Sequence, residues 1–112
     1  MNKLYILIAL TISFTVSAQI ATTGTSNSGL NASAIGFNTT ASNTVSTAMG
    51  RETLASGVSS TAMGYQTKAT NTAATAMGDN STASGVTSTA IGDNSTASGE
   101  TSIAMGFETE AT

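Results

Sequence analysis

The chain contains no cysteine, histidine, proline or tryptophan. Each absence removes a kind of chemistry. Without cysteine there is no disulfide framework, no thiolate metal site and no thiol nucleophile. Without histidine the commonest general base and metal ligand are gone. Charged residues make up only 8% of the chain, and Arg51 and Lys68 are the only basic residues beyond Lys3. A nucleic-acid binder needs a basic footprint to neutralise phosphates, so nucleic acid is excluded as a partner. No nucleophile, base and orienting group stand at a recognisable spacing. The chain is therefore not read as an enzyme, and neither a cofactor nor a metal is expected.

What remains is unusually uniform. Threonine, serine and alanine number 22, 16 and 18, half of the 112 residues. The hydrophobic fraction of 39% leans heavily on that alanine. A single globule with so few bulky apolar residues could not bury enough area to offset its chain entropy. Its core must come from stacked repeats or stacked chains.

Residues 1–18 read as a secretory signal peptide. Met1, Asn2 and Lys3 give a positive start, Leu4 to Val16 an apolar run of thirteen residues, and Val16-Ser17-Ala18 a small-residue cleavage site before Gln19. A transmembrane helix needs about 20 apolar residues, and this run stops short at Ser17. The protein is expected to be exported.

The remainder is one motif written six times. The triplet Ala-(Ile/Met)-Gly begins at Ala34, Ala48, Ala62, Ala76, Ala90 and Ala104, always fourteen residues apart. A second alanine column, Ala41, Ala55, Ala69, Ala83, Ala97 and Ala111, lies seven residues later, with no insertion or deletion. Gly57, Gly85 and Gly99 follow that step, and Asn43 and Asn71 replace glycine in the same column. Glycine and asparagine tolerate positive φ, so this column is expected to be a left-handed turn position. A second set of turns is expected at Gly36, Gly50, Gly64, Gly78, Gly92 and Gly106. Residues 19–32 are expected to be a degraded first coil or cap, since Ser28-Gly29 keeps the register. Residues 33–112 then hold six coils, the last incomplete.

Thr, Ser, Val and Ile between fixed glycines favour short strands and turns over helix. Two short strands and two turns fit fourteen residues, and coils stacking at about 4.8 Å would give a rod of about 30 Å. The expected fold is all-β, a parallel β-roll or β-solenoid.

Side chains alternate along a strand, so Ala48 and Met49 face opposite ways. A coil of fourteen residues has room inside for the alanines Ala34, Ala41, Ala48, Ala55, Ala62, Ala69, Ala76, Ala83, Ala90, Ala97 and Ala104, but not for methionine. Ile35, Met49, Met63, Met77, Ile91 and Met105 must then lie outside as an apolar stripe, the mark of an association surface. Burying it takes a second and a third copy of the chain.

The pattern Ser-x-Ala-(Ile/Met)-Gly with a trailing Ala-Ser-Gly resembles the head repeat of YadA-like trimeric autotransporter adhesins. Ser88-Thr89-Ala90-Ile91-Gly92 with Ala97-Ser98-Gly99 is the nearest match, followed by Ser102-Ile103-Ala104-Met105-Gly106. The resemblance covers residues 33 to 112. It implies a left-handed parallel β-roll assembled as a homotrimer, exposed on the outer membrane of a Gram-negative bacterium and engaged in adhesion. Two departures stand out. Threonine replaces the family's valine at Thr47, Thr61, Thr75 and Thr89, and methionine replaces isoleucine in four of six copies, which softens the seam. The family's neck, stalk and membrane barrel are expected in a C-terminal part beyond Thr112. An endosialidase-type chaperone is the alternative there.

Phe37, Tyr65 and Phe107 share a column with Arg51, Asp79 and Asp93. A column that accepts all three chemistries is not core, and its aromatics are candidate ligand contacts. Asp79 and Asp93 read as turn residues, because two carboxylates are too few for the 6–8 oxygens of a calcium site. The sequons at Asn31, Asn38, Asn80 and Asn94 follow from the abundance of serine and threonine.

Three function classes fit. The first is an adhesin head binding extracellular matrix, a cell surface or carbohydrate. The second is a structural spacer of a longer surface or tail fibre. The third is an ice-binding solenoid. The last would want a second threonine two positions from Thr47, Thr61, Thr75 and Thr89, and of Val45, Ser59, Ala73 and Thr87 only one complies.

Overall fold

The computed structural model describes residues 23–112. The expected signal peptide, residues 1–18, lies outside the described residues. Each coil contributes one five-residue and one two-residue strand. The longer strands are β1 (Ser33–Phe37), β3 (Thr47–Arg51), β5 (Thr61–Tyr65), β7 (Thr75–Asp79), β9 (Thr89–Asp93) and β11 (Ile103–Phe107). The shorter ones are β2 (Thr40–Ala41), β4 (Leu54–Ala55), β6 (Lys68–Ala69), β8 (Thr82–Ala83), β10 (Thr96–Ala97) and β12 (Glu110–Ala111). They stack into two parallel six-stranded sheets, one of each kind. Each strand residue of β1 to β10 pairs with the one fourteen positions on, as Ala48 with Ala62 and Ala55 with Ala69. The protein is an all-β parallel solenoid of about six turns. Ahead of β1, Thr23 bridges Phe37 and Ser26 bridges Thr40 in the same parallel register.

Among the described residues the interior contains nothing larger than threonine. The alanines from Ala41 to Ala97 in both columns are fully buried, and Ala104 nearly so, while Ala34 and Ala111 at the two ends are partly covered. Between the alanines lie two further buried columns. One holds Thr39, Thr53, Thr67, Ser81 and Ser95, the other Ser46, Ser60, Ala74 and Ser88. Small buried residues therefore recur every seven positions, and each coil is built of two similar halves.

The corners set that half-coil period. Asn31, Asn38, Val45, Glu52, Ser59, Gln66, Ala73, Asn80, Thr87, Asn94, Thr101 and Glu108 all have φ between 49° and 57°, and each directly precedes a small interior position. A left-handed residue reverses the chain sharply, and it keeps its backbone bond to the coil before. Glu52 N donates to Phe37 O at 2.8 Å and Ser59 N to Thr44 O at 2.9 Å. Backbone groups at the bends are thus paired as those in the strands are.

This corrects the expected turn chemistry. Gly57, Gly85 and Gly99, with Asn43 and Asn71, are not at positive φ. They open the turn and accept its closing bond, as when Ser60 N donates to Gly57 O at 3.2 Å. The left-handed residue comes two positions later, at Ser59. Glycine is favoured at Gly57 by space, because an added Cβ would overlap the Asn71 carbonyl. Asn43 and Asn71 fit by closing on the backbone. Asn43 Nδ2 donates to Ser56 O at 3.2 Å and its Oδ1 accepts from Thr44 N at 2.8 Å. Gly36, Gly50, Gly64, Gly78, Gly92 and Gly106 are not turn residues either. They lie inside the long strands, at φ between 117° and 135°. At Gly64 a Cβ would overlap the carbonyl oxygen of Gly78.

The two buried hydroxyl columns differ. Ser60 Oγ donates to Gly57 O at 2.7 Å and Ser88 Oγ to Gly85 O at 2.8 Å. In the other column only Ser81 finds such a partner, Met77 O at 3.0 Å, while Thr39, Thr53, Thr67, Ser95 and Thr109 have hydroxyls with none.

Candidate association face and ligand-facing edge

The long sheet turns its alanines inward and the residues on either side of them outward. The outer face therefore carries a column of small polar residues, Thr47, Thr61, Thr75 and Thr89, beside the column Ile35, Met49, Met63, Met77 and Ile91. Both are half-buried, each residue stacked in register on its counterparts in the neighbouring coils. At the last coil, Ile103 and Met105 are 65% and 61% exposed. The strand register stacks all six large side chains in one line. The interior column Ala48, Ala62, Ala76 and Ala90, by contrast, is fully buried.

Beyond the glycine that follows each large side chain, the same strands end in the column Phe37, Arg51, Tyr65, Asp79, Asp93 and Phe107. All six are exposed. The first three form a stack. The Arg51 guanidinium lies 5.7 Å from the Phe37 ring centre and 5.5 Å from that of Tyr65, within the range of cation–π attraction. Glu52, on the adjacent corner, places Oε1 3.4 Å from Arg51 Nε. Its other oxygen accepts from Gln66 Nε2 at 2.8 Å. Glu52 is thereby held on the Nε side of the guanidinium. Among the described residues no other ion pair or hydrogen bond engages the Arg51 side chain.

In the next two coils the column turns acidic. Asp79 and Asp93 are direct strand neighbours, and Asn80 donates to Asn94 Oδ1 at 3.2 Å beside them. Among the described residues no group of three or more acidic side chains gathers where a metal ion could be held. Phe107 is 68% exposed and stands apart from the other two aromatics. The three aromatics are therefore not one site. Phe37 and Tyr65 are brought together through Arg51, and Phe107 is separated from them by the two aspartates.

Val45, Ser59, Ala73 and Thr87, weighed as partners of a threonine face, sit at left-handed corners rather than on the strand. They cannot extend the flat threonine column that ice binding would need.

Sequence reasoning missed Arg51 as the centre of the stack, although its position fourteen residues from both Phe37 and Tyr65 is legible once parallel register is assumed. It also missed the buried threonine and serine columns, whose seven-residue recurrence was available in the sequence.

Two copies of the YadA head domain repeat make up the family model that matches this chain, over residues 28–53, 55–81 and 83–109. No curated protein matches it.

Proposed function

Since the chain belongs to the family of YadA head domain repeats, a family of cell-surface adhesin heads, we propose that it is the head of a homotrimeric surface adhesin, a left-handed roll in each chain, joined through the column Ile35, Met49, Met63, Met77, Ile91 and Met105. The observation that carries this reading is where the large side chains lie. Among the described residues the buried side chains are alanine, serine and threonine, and the large apolar column runs down the outside in a single line. An isolated chain would leave the uncovered part of that line in water.

Magnitude also bears on how tightly the chains associate. Full burial of a methionine or isoleucine is worth about 1.5–3 kcal/mol. Apart from Met105 these side chains are already more than half covered, so each would gain up to roughly 1 kcal/mol in a seam. Six give at most about 6 kcal/mol per chain, near the low end of the association cost of about 4–15 kcal/mol. The head by itself is then a weak, concentration-dependent trimer, reinforced by whatever holds the three chains together elsewhere. Export through residues 1–18 and display on a Gram-negative outer membrane complete the reading. The ligand is extracellular matrix, a cell surface or a carbohydrate, and no catalytic step is involved.

Analytical ultracentrifugation of the chain from Gln19 onward tests the assembly. The expected result is a monomer–trimer equilibrium that Met63→Asp with Met77→Asp shifts fully to monomer, because unpaired charges would be buried in the seam. A folded wild-type monomer at all concentrations would refute it. Adhesion is tested by binding of the trimer to cells and matrix; a trimer that binds neither is a spacer.

A further inference from the structure

We propose that Phe37, Arg51 and Tyr65 form a binding site for a uronate-bearing polysaccharide, a chain of pyranose sugars carrying carboxylates. The proposal rests on the adhesin reading and gives it a ligand class.

The three residues occupy one column in three successive coils, so they are spaced by about 4.8 Å. That step is close to the advance of one sugar in an extended polysaccharide. A chain laid along the column would place successive sugars over Phe37, Arg51 and Tyr65. Phe37 and Tyr65 are 44% and 38% exposed; each turns one ring face to Arg51, and the aromatic surface left open offers apolar contact to a pyranose. Arg51, 61% exposed in its side chain, is held between them by cation–π attraction on both sides. Its side chain is thus positioned before any ligand arrives, which lowers the ordering cost of binding. Glu52 engages only Nε and is tied back by Gln66. Among the described residues neither terminal nitrogen of the guanidinium has a hydrogen-bond or ion-pair partner, and a planar fork of that kind matches a planar carboxylate with two parallel hydrogen bonds.

The column stays accessible in a trimer. The same column holds Asp79 and Asp93, which could not be desolvated in a seam without partners. Those aspartates also bound the site. A polyanion running on past Tyr65 would meet their charge, so the bound stretch is short, and a long chain is penalised.

The test is binding of the purified protein to immobilised hyaluronan, an unsulfated chain that alternates a uronate with an N-acetylated sugar. The expected result is measurable binding that falls at least tenfold in Arg51→Gln. Arg51→Lys should recover only part of it, because an ammonium lacks the fork. Phe37→Leu and Tyr65→Leu should each weaken binding several-fold, and Lys68→Gln, on the other sheet, should leave it unchanged. Asp79→Asn with Asp93→Asn should tighten binding of long chains, an effect that a merely structural role for the stack would not produce. Three outcomes overturn the proposal: no binding of hyaluronan, binding that survives Arg51→Gln, or equal binding of the carboxyl-reduced chain. The adhesin reading fails separately. Attachment to cells with no binding of hyaluronan would remove this site and leave the adhesin. Hyaluronan binding through Arg51 without attachment to any cell surface would do the reverse.

Discussion

Replacing Gly64 by alanine should be among the most damaging single-methyl changes this protein can suffer. Two costs combine there. The first is conformational: Gly64 has φ near +122°, a region that residues with a Cβ enter only at about 1–3 kcal/mol. The second is steric: the new Cβ would overlap the carbonyl oxygen of Gly78, one coil on. That oxygen belongs to the backbone of β7, paired on both sides, and it cannot move without opening the ladder. Gly106 separates the two terms. Its φ is +126°, nearly the same, but an added Cβ would meet only Thr109 Cγ2, at 3.3 Å. Its strand is still packed, since Ala104 is only 3% exposed. In the chain ending at Thr112, Gly106→Ala should therefore cost the conformational term alone, about 1–3 kcal/mol. Gly64→Ala should exceed about 4 kcal/mol, the range reserved for overpacking and strain together. Urea denaturation followed by circular dichroism measures both. If the two variants lost the same stability, carbonyl overlap would contribute nothing, and the spacing of the coils would have to be looser than the register shows.

Further tests address the core and the corners. Ala76 is fully buried in a column of alanines, so Ala76→Leu should cost at least about 1–3 kcal/mol through overpacking, whereas Thr82→Lys, in the outward column of Lys68, should be near neutral; thermal melts compare them. Thr53 has a buried hydroxyl with no partner, so Thr53→Val should stabilise by about 1 kcal/mol or more, and a lower denaturation midpoint would mean that the hydroxyl is bonded. Val45 is a β-branched residue at φ 57°, 51% exposed; Val45→Asn should relieve about 1 kcal/mol of strain and raise the melting temperature by a few degrees.

The sequence by itself determined the architecture. A fourteen-residue period without a single insertion forces like residues to stack. The alternation of Ala48 and Met49 is enough to separate inside from outside. Alanine sets the coil width because a narrow coil admits little else. The sequence did not disclose where the chain bends. Glycine and asparagine at Gly57 and Asn43 look like left-handed residues, yet the left-handed positions are Ser59 and Val45, two residues on. The reason is that conformational preference at a corner is weak beside the ladder of bonds that coil stacking imposes. A valine or alanine is held at positive φ because Val45 N and Ala73 N must reach Leu30 O and Val58 O. Conversely, glycine inside the long strand answers to the next coil's carbonyl, a neighbour fourteen residues away. The Phe37–Arg51–Tyr65 stack is of the same kind. Its members are fourteen residues apart along the chain, and only the parallel pairing of successive coils makes them neighbours.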